Sequence, residues 1–337
     1  MAKKEKLQAF AEAGSGRQMN IAIYDTSIAS PNVGDQIIMD AVNREIEAMF
    51  PDAFVERIPS HDRISVRGRR ILKHADYIIA GGANLLFSHW TRQRHWKMGW
   101  RDLPRMKNKL VLLGTGWAAY ADPPDFLTAR IYRSILSDKS HQSVRDAYSA
   151  RYLSAVGIKN VVNTGCPTLW QLTPAHLATV PQNKARDVVA TLTDYAPAPQ
   201  EDRLMLETLK ALYRNVHVWI QGKQDKSYLK SLGVTGLLEV PSHLSAYDAL
   251  LRSEDDLDFV GTRLHAGIRA LQAGRRSIIV SVDNRAREMG RDFHLPIIER
   301  ADIAKLHALI ESTMPIAIKL PQDRIDLFRK QFSKPER

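Results

Sequence analysis

Short apolar runs alternate with stretches of helical periodicity along the first half of the chain. The apolar runs that predict strands are residues 19–27, 53–58, 76–82, 109–116, 141–146 and 161–167. Between them, residues 35–49, 125–137 and 147–156 place apolar side chains at helical spacing, and Gly157 follows the last stretch as a helix stop. Because strands and helices alternate, the pattern predicts a parallel sheet covered by helices on both faces.

The same pattern starts again after a polar, proline-containing segment. Further strands are predicted at 187–195, 215–222, 237–241, 256–263, 276–283 and 295–299, and further helices at 201–213, 302–312 and 323–332. We therefore predict a flexible leader, an N-terminal domain, a linker, a C-terminal domain and C-terminal helices, with the bounds 1–17, 18–170, 171–186, 187–300 and 301–337. The predicted fold class is α/β, with two Rossmann-like domains facing a cleft in a GT-B-like arrangement.

The composition is that of a soluble globular protein. The 337 residues are 44% hydrophobic and 25% charged, and no apolar run approaches the roughly 18–20 residues that a membrane helix needs. The first residues lack the apolar core of a signal peptide, and Cys166 is the only cysteine, so an intrachain disulfide is excluded. The histidines show no HExxH-like spacing, and we expect a cytoplasmic protein without a metal site or cofactor.

Basic residues outnumber acidic ones, and the excess is densest in two segments. The formal net charge is +11, and the basic segments are residues 63–73 and 92–109. Such a charge suits phosphorylated metabolites, anionic lipid or polymer, and nucleic acid. Because no zinc finger or aromatic RNA-binding motif accompanies it, we predict no nucleic-acid partner, whereas contact with a membrane surface stays open.

Glycines and polar residues follow several predicted strands. After the first strand, Asn32 and Gly34 suit a tight turn, and Asp35 either caps the next helix or faces the cleft and contacts a hydroxyl group. After the third, Gly82 and its neighbour Gly81 either let the backbone approach a ligand or serve helix packing. Since ligands of open parallel sheets bind at the carboxyl ends of strands, these positions together predict a cleft.

The segment 89–101 interleaves tryptophan with basic residues. Trp90 and Arg94 would lie at the rim of the cleft, where the ring stacks on a sugar and the cation holds a phosphate. The alternative is a helix that packs Trp96 and Trp100 inward at spacing i, i+4.

Two strand ends carry arginine. Arg145 in "SVRD" forms either an internal ion pair or an anion contact in the cleft. "GTRLHAG" (261–267) is the strongest local signal, because Arg263 and His265 stand where a strand ends and a helix begins near residue 265. Such a helix start binds anions, and the alternative is a core histidine beside a surface arginine.

These motifs resemble the polysaccharide pyruvyl transferase family in order and spacing, over roughly residues 20–290. The motifs concerned are "NVGDQ" (32–36), "GGANLL" (81–86), "GTG" (114–116), "SVRD" with "YLSAVG" (143–157), "TGCPT" (164–168) and "GTRLHAGIRALQAGRRSIIVSVD" (261–283). Many members carry Asp-Pro where this chain has Cys166-Pro167, so nothing is transferred from the family to that loop.

The resemblance implies an enzyme that moves the enolpyruvyl group of phosphoenolpyruvate (PEP) onto a sugar of a polysaccharide, glycan or lipid-linked saccharide. A pyruvate ketal forms and phosphate is released, with PEP as co-substrate. On this basis Arg263, Leu264, His265 and Arg145 would bind PEP, with His265 as general acid or phosphate ligand. Asp35 would act on the acceptor hydroxyl. The predicted acceptor-side residues are Asn32, Gly82, Asn84, Trp90 and Arg94.

Two other functions fit the same residues. A GT-B glycosyltransferase using a nucleotide sugar would also have two Rossmann-like domains and a basic residue near the second-domain helix start. A non-enzymatic basic scaffold would bind anionic polymer or membrane through residues 63–73 and 92–109.

Overall fold

Two parallel sheets organise the computed structural model of the chain, which describes residues 18–92 and 96–333. The predicted leader, residues 1–17, and the predicted acceptor residue Arg94 lie outside the described residues.

The first sheet has the strand order β2-β1-β3-β4, and all its neighbours are parallel. Its strands are β1 (Asn20–Asp25), β2 (Phe54–Pro59), β3 (Tyr77–Gly81) and β4 (Leu110–Leu113). A short parallel pair, β5 (Gln142–Val144) and β6 (Val161–Asn163), continues it through a bridge between Thr115 and Val144. The helices of this half are α1 (Gly34–Met49), α2 (Val66–His74), α3 (Leu103–Met106), α4 (Phe126–Ile135), α5 (Ala147–Ala155) and α6 (Pro174–Leu177), with a 3-10 turn at Pro167–Leu169.

The second sheet has six parallel strands in the order β12-β11-β10-β7-β8-β9. They are β7 (Asp187–Thr191), β8 (Val216–Trp219), β9 (Leu238–Val240), β10 (Leu257–Gly261), β11 (Ser277–Ser281) and β12 (Ile297–Glu299). The helices are α7 (Pro199–Leu212), α8 (Asp225–Ser231), α9 (Leu244–Leu251), α10 (Leu264–Gln272), α11 (Asn284–Phe293), α12 (Leu306–Glu311) and α13 (Gln322–Lys330), with a 3-10 turn at Arg300–Lys305. Strands β7 and β10 are neighbours, and the chain continues outward from β7 to β8 on one side and from β10 to β11 on the other. A crevice therefore opens between the carboxyl ends of β7 and β10, where doubly wound sheets bind ligands.

The predicted α/β fold with two Rossmann-like parallel sheets is confirmed, and all twelve described strands lie within or next to the predicted apolar runs. The domain boundaries stay a prediction. Helices α2, α8, α9 and α11 and the short helices α3 and α6 were not predicted. In α2, for example, only Gly68 and Leu72 are buried, so the sequence shows almost no apolar stripe there. The helix predicted at 302–312 is in fact a 3-10 turn followed by the short helix α12.

The two halves are joined by a shared apolar core and by loops. Ile38 of α1 and Ile268 of α10 belong to one buried cluster, and the two helices are in contact. The amide of Val33 donates to the carbonyl of Gln221 at 3.1 Å, so the loop after β1 pairs with the loop after β8. The last helix returns to the first half, where Arg329 forms two 2.8 Å hydrogen bonds with the carboxylate of Glu45.

A glycine at the end of β10 allows the close contact with β7. A Cβ atom at Gly261 would lie 2.6 Å from the amide nitrogen and 2.9 Å from the carbonyl oxygen of Thr191. Only hydrogen fits between the two backbones here, and the two residues that follow β10, Thr262 and Arg263, donate hydrogen bonds to Thr191.

We therefore expect Gly261→Ala to lower the free energy of unfolding by about 1–3 kcal/mol, because backbone atoms must move to admit a methyl group. Urea unfolding measures the effect. Gly99→Ala is the control, since the nearest atom to its added Cβ is the end of the Asp102 side chain at 3.3 Å. Equal stability of the two variants would contradict the close contact.

Candidate active site

Arg263 occupies the crevice between β7 and β10, directly before α10. Its amide donates to Thr191 Oγ1 at 3.2 Å and its Nε donates to the carbonyl of Leu192 at 2.8 Å. Nη2 contacts Asp225 Oδ1 at 2.5 Å and Asp194 Oδ1 at 3.0 Å. Among the described residues no group accepts a hydrogen bond from Nη1. The guanidinium is thus buried and paired, with one nitrogen left for a ligand.

His265 lies in the first turn of α10 and is buried. Burial, followed by the charges of Arg285 and Arg145, lowers its pKa to about 3. The imidazole is therefore neutral at neutral pH. Its Nε2 lies 3.7 Å from Sγ of Cys166, and burial raises the pKa of that thiol. A bound anion would raise the pKa of His265, because an opposite charge favours the protonated ring.

Arg285 and Asp283 stand at the next strand end and were missed by sequence reasoning. Asp283 caps α11, and its Oδ2 accepts from Nε of Arg285 at 3.0 Å and from Nη2 at 2.5 Å. Burial alone would raise the pKa of Asp283, but the Arg285 charge outweighs it and holds that pKa well below its usual range. Nη2 of Arg285 also donates to the hydroxyl of Tyr195, whose ring centroid lies 5.0 Å from Cζ of Arg263. The signal that could have found them is the polar run that directly follows the buried strand β11.

The loop after β1 brings Asn32 and Asp35 to the same region from the other sheet. Asn32 Oδ1 accepts from the amide of Gly34 at 3.1 Å and from Nε2 of Gln221 at 2.8 Å, so Asn32 orders the turn. Asp35 caps no backbone amide and instead accepts from the hydroxyl of Ser30, with Nε2 of His61 at 3.9 Å.

Burial raises the pKa of Asp35, although the Ser30 hydrogen bond and the charges of His61, Arg285 and Arg263 oppose the rise. Asp35 therefore lies within electrostatic reach of two arginines of the second half. Its carboxylate is a candidate proton acceptor.

Arg145 forms a buried ion pair with Asp146, which is the first of the two alternatives given for it above. Its Nε donates to Asp146 at 3.0 Å, Nη1 to Asn84 Oδ1 at 2.6 Å and Nη2 to the carbonyl of Trp117 at 3.2 Å. All three nitrogens are therefore used, and Arg145 positions Asn84. Its direct contact with PEP stays a prediction.

Several predicted contact residues lie in the packing around the site. A Cβ at Gly82 would lie 2.2 Å from Cγ2 of Ile38, so this glycine serves helix packing. Leu264 is buried in the core. Trp90 is only 1% exposed, and its ring therefore cannot stack on a sugar in this structure.

The helix interpretation of the tryptophan segment is also wrong. Residues 96–102 form no regular helix, and the next helix, α3, begins only at Leu103. Trp96 is buried, whereas Trp100 is 52% exposed.

A groove of about 480 Å³ lies between α5 and α11, the helices that follow Arg145 and Asp283. Its walls include Tyr120, Tyr148, Arg151 and Glu288, and we call it the tyrosine groove. The Tyr120 hydroxyl donates to Glu288 at 2.6 Å, and its ring centroid lies 5.2 Å from that of Tyr148. Glu288 is one helical turn from Asn284, which donates to the same Trp117 carbonyl as Arg145. Aromatic faces beside carboxylates suit a saccharide.

Within the part of the chain that the structure describes, no three His, Cys, Asp or Glu side chains are grouped to hold a metal ion. In the same residues, no helix combines the length and apolar character needed to cross a bilayer.

A family model described as polysaccharide pyruvyl transferase matches residues 32–284. No curated protein is similar enough to the chain to be reported as a relative.

Three solved structures are similar over nearly the whole chain. The S. aureus MnaA–UDP structure has a TM-score of 0.50 at 11% identity, and the match covers 95% of this chain and 99% of that chain. A glycosyltransferase from Rickettsia africae has a TM-score of 0.48 at 11% identity, covering 94% and 95%. UDP-GlcNAc 2-epimerase from Neisseria meningitidis, bound to UDP-GlcNAc, has a TM-score of 0.48 at 10% identity, covering 94% and 97%. At these identities the likeness concerns the fold alone.

The low pKa of His265 predicts a loss of stability in acid. The unfolded histidine binds a proton near pH 6.5, whereas the folded one does so only near pH 3. The contribution is therefore fully present above pH 6.5 and is lost as the pH falls, by up to about 1.4 kcal/mol per pH unit. Between about pH 7 and about pH 5, the wild type should lose about 2 kcal/mol more than His265→Gln in urea unfolding.

The exposed His243→Gln variant serves as the control and should follow the wild type. A His265→Gln variant with the wild-type pH dependence would show that His265 titrates normally.

Proposed function

Because the chain belongs to the polysaccharide pyruvyl transferase family, we propose that it transfers the enolpyruvyl group of PEP to a sugar, with release of phosphate. The observation that carries this proposal is that the guanidinium groups of Arg263 and Arg285 lie against the same ring, that of Tyr195. The neutral His265 stands directly after Arg263 and Leu264, at the start of α10. PEP has a phosphate and a carboxylate, so it needs at least two cationic contacts in addition to a proton donor.

Arg263 and Arg285 bind the two anionic ends of PEP in this proposal. Each uses Nε and Nη2 for contacts within the protein, and no described group accepts from either Nη1. The start of α10, which no side chain caps, adds backbone N–H groups and the positive end of its dipole. Asp194, Asp225 and Asp283 hold the guanidinium groups in place before PEP arrives.

The reaction needs a proton at the methylene carbon and an oxygen at C2 of PEP. His265 is neutral in the free protein, and the negative charges of PEP raise its pKa so that it takes up a proton and passes it to the methylene carbon. Asp35 accepts the proton of the attacking sugar hydroxyl, whose oxygen bonds to C2. Phosphate then leaves with its bridging oxygen. A second hydroxyl of the sugar attacks C2, gives its proton to the departing phosphate and closes the pyruvate ketal.

The acceptor is a saccharide of a polysaccharide, a glycan or a lipid-linked intermediate, and the reaction is placed in the cytoplasm. In this proposal Asn32 and Asn84, held by hydrogen bonds with Gln221 and Arg145, contact the acceptor from the first half, and the saccharide extends into the tyrosine groove. PEP is the co-substrate, and no cofactor takes part in the proposed steps.

Ligand binding and single-site variants test the PEP site. PEP should raise the melting temperature of the protein, whereas UDP and UDP-sugars should not. His265→Ala and Arg285→Gln should each lower phosphate release from PEP with a saccharide acceptor by at least about 100-fold, because each removes a group that acts on developing charge. Arg263→Lys is expected to do the same, since an ammonium cannot reproduce the guanidinium contacts.

Arg287→Ala is the matched control, because Arg287 is on the same helix but pairs with Glu299 at the surface. Stabilisation by UDP-sugars without any effect of PEP would favour a nucleotide-sugar transferase instead.

Tyr120→Ala tests the tyrosine groove. If the acceptor lies on this ring, KM for the saccharide should rise about tenfold while KM for PEP stays unchanged. Tyr120→Phe keeps the ring and loses only the Glu288 hydrogen bond, so it should stay near the wild type. A change in KM for PEP alone would place the groove outside the acceptor path. Mass spectrometry for a pyruvyl-sized mass gain identifies usable acceptors beforehand.

A further inference from the structure

Almost the whole net charge of the protein comes from one segment of the first half. Residues 57–109 contain 13 lysine and arginine residues but three acidic ones, so they account for +10 of the formal net charge of +11. The rest of the chain is nearly balanced. None of these charges is needed for PEP, because Arg263, His265 and Arg285 lie elsewhere.

Much of this charge lies on one layer of helices, to which α4, outside residues 57–109, also belongs. Helices α2, α3 and α4 contact one another in that order, and none of them contains an aspartate or a glutamate. Exposed basic side chains of the layer and its loops include Arg63, Arg67, Arg70, Arg101 and Arg130. We call this surface the basic face.

Three large apolar side chains protrude from one end of the basic face. Val66 is 79% exposed, Phe126 is 76% exposed and Trp100 is 52% exposed. Val66 and Phe126 are the first residues of α2 and α4, which follow β2 and β4. Since parallel strands end on the same side, these side chains lie at the end of the sheet that also carries the candidate active site.

Trp100 is held between α2 and α4. The amide of Gly99 donates to Asp102 Oδ2 at 2.8 Å, and Arg69 of α2 donates to Asp102 Oδ1 at 2.8 Å. On the other side the Trp100 ring lies 5.6 Å from that of Trp90, whose amide donates to Thr128 of α4 at 2.9 Å. An exposed indole is thus fixed in place among basic groups.

We propose that this end of the basic face docks on an anionic lipid bilayer. Val66, Trp100 and Phe126 would enter the interfacial region while the arginines meet the headgroups, which is the combination that membrane surfaces select. A soluble polyanion would use the charges but gives no reason for three exposed apolar side chains. The loop before α2 also reaches the active site, since His61 Nε2 lies 3.9 Å from Asp35.

Docking in this orientation would bring the active site close to the bilayer, where a saccharide carried on a lipid is presented. This consequence rests on the proposed function, but lipid binding does not. The two can therefore fail separately.

Co-sedimentation of the full chain with vesicles tests the proposal. The protein should bind vesicles of phosphatidylcholine with phosphatidylglycerol and not vesicles of phosphatidylcholine alone, and binding should weaken between about 0.1 M and about 1 M NaCl. The double variant Arg67→Glu, Arg70→Glu should bind at least about 30-fold more weakly. The control Arg203→Glu, Lys230→Glu reverses two exposed charges on the second half and should bind like the wild type.

Tryptophan emission provides an independent measurement. The other five tryptophans are at most 4% exposed, so a blue shift on adding vesicles would come from Trp100 and should be absent in Trp100→Phe. Thermal unfolding and the shift caused by PEP should be the same in all variants. The proposal is overturned if the wild type ignores anionic vesicles, if both double variants bind equally, or if emission does not shift. Binding to heparin as tight as to vesicles, without that shift, would indicate an anionic polymer instead.

Discussion

Burying guanidinium groups at the ends of parallel strands is the constraint around which the two halves are arranged. Arg145, Arg263 and Arg285 each follow a strand, and each is paired with an aspartate from its own sheet. Removing one partner of such a pair typically costs about 3–5 kcal/mol, because an unpaired charge stays buried. The loops that supply the aspartates must therefore be held in place. Because Arg263 follows β10 and bonds to the end of β7, the site also depends on the packing of these two strands.

The state of His265 follows from this arrangement. Two arginines act on a buried imidazole at a helix start, and all of these influences disfavour its charged form. The imidazole of His265 is thus neutral near the guanidinium groups. The ion pairs of Arg263 and Arg285 do not use Nη1, so these groups can bind further negative charge. An anionic substrate such as the proposed PEP would supply that charge, and its binding would then be linked to proton uptake by electrostatics.

Sequence reasoning predicted the strands well because each is a short run of buried side chains bounded by polar residues. It also placed Arg263 and His265 correctly at a strand–helix junction, since that junction is local in sequence. It missed Arg285, because nothing local indicates that the end of β11 lies beside the end of β10, where the charge of this arginine helps to lower the pKa of His265. Trp90 and Trp100 show the same limit, since the sequence pattern does not tell which indole is buried and which one is exposed.

The position of the basic face follows from the same strand geometry as the active site. In a parallel sheet every helix begins near the carboxyl end of the preceding strand, so Val66 and Phe126 stand at the end where the loops of the candidate active site lie. An apolar residue at the first position of a helix is not required for capping, as Ser65 and Asp125 already accept the first-turn amide bonds. Helix formation therefore does not explain why the side chains of Val66 and Phe126 are exposed, and exposing apolar surface to water costs free energy. Contact with a bilayer would remove that cost while it neutralises the repulsion between neighbouring arginines, so the two features of this surface have one physical explanation.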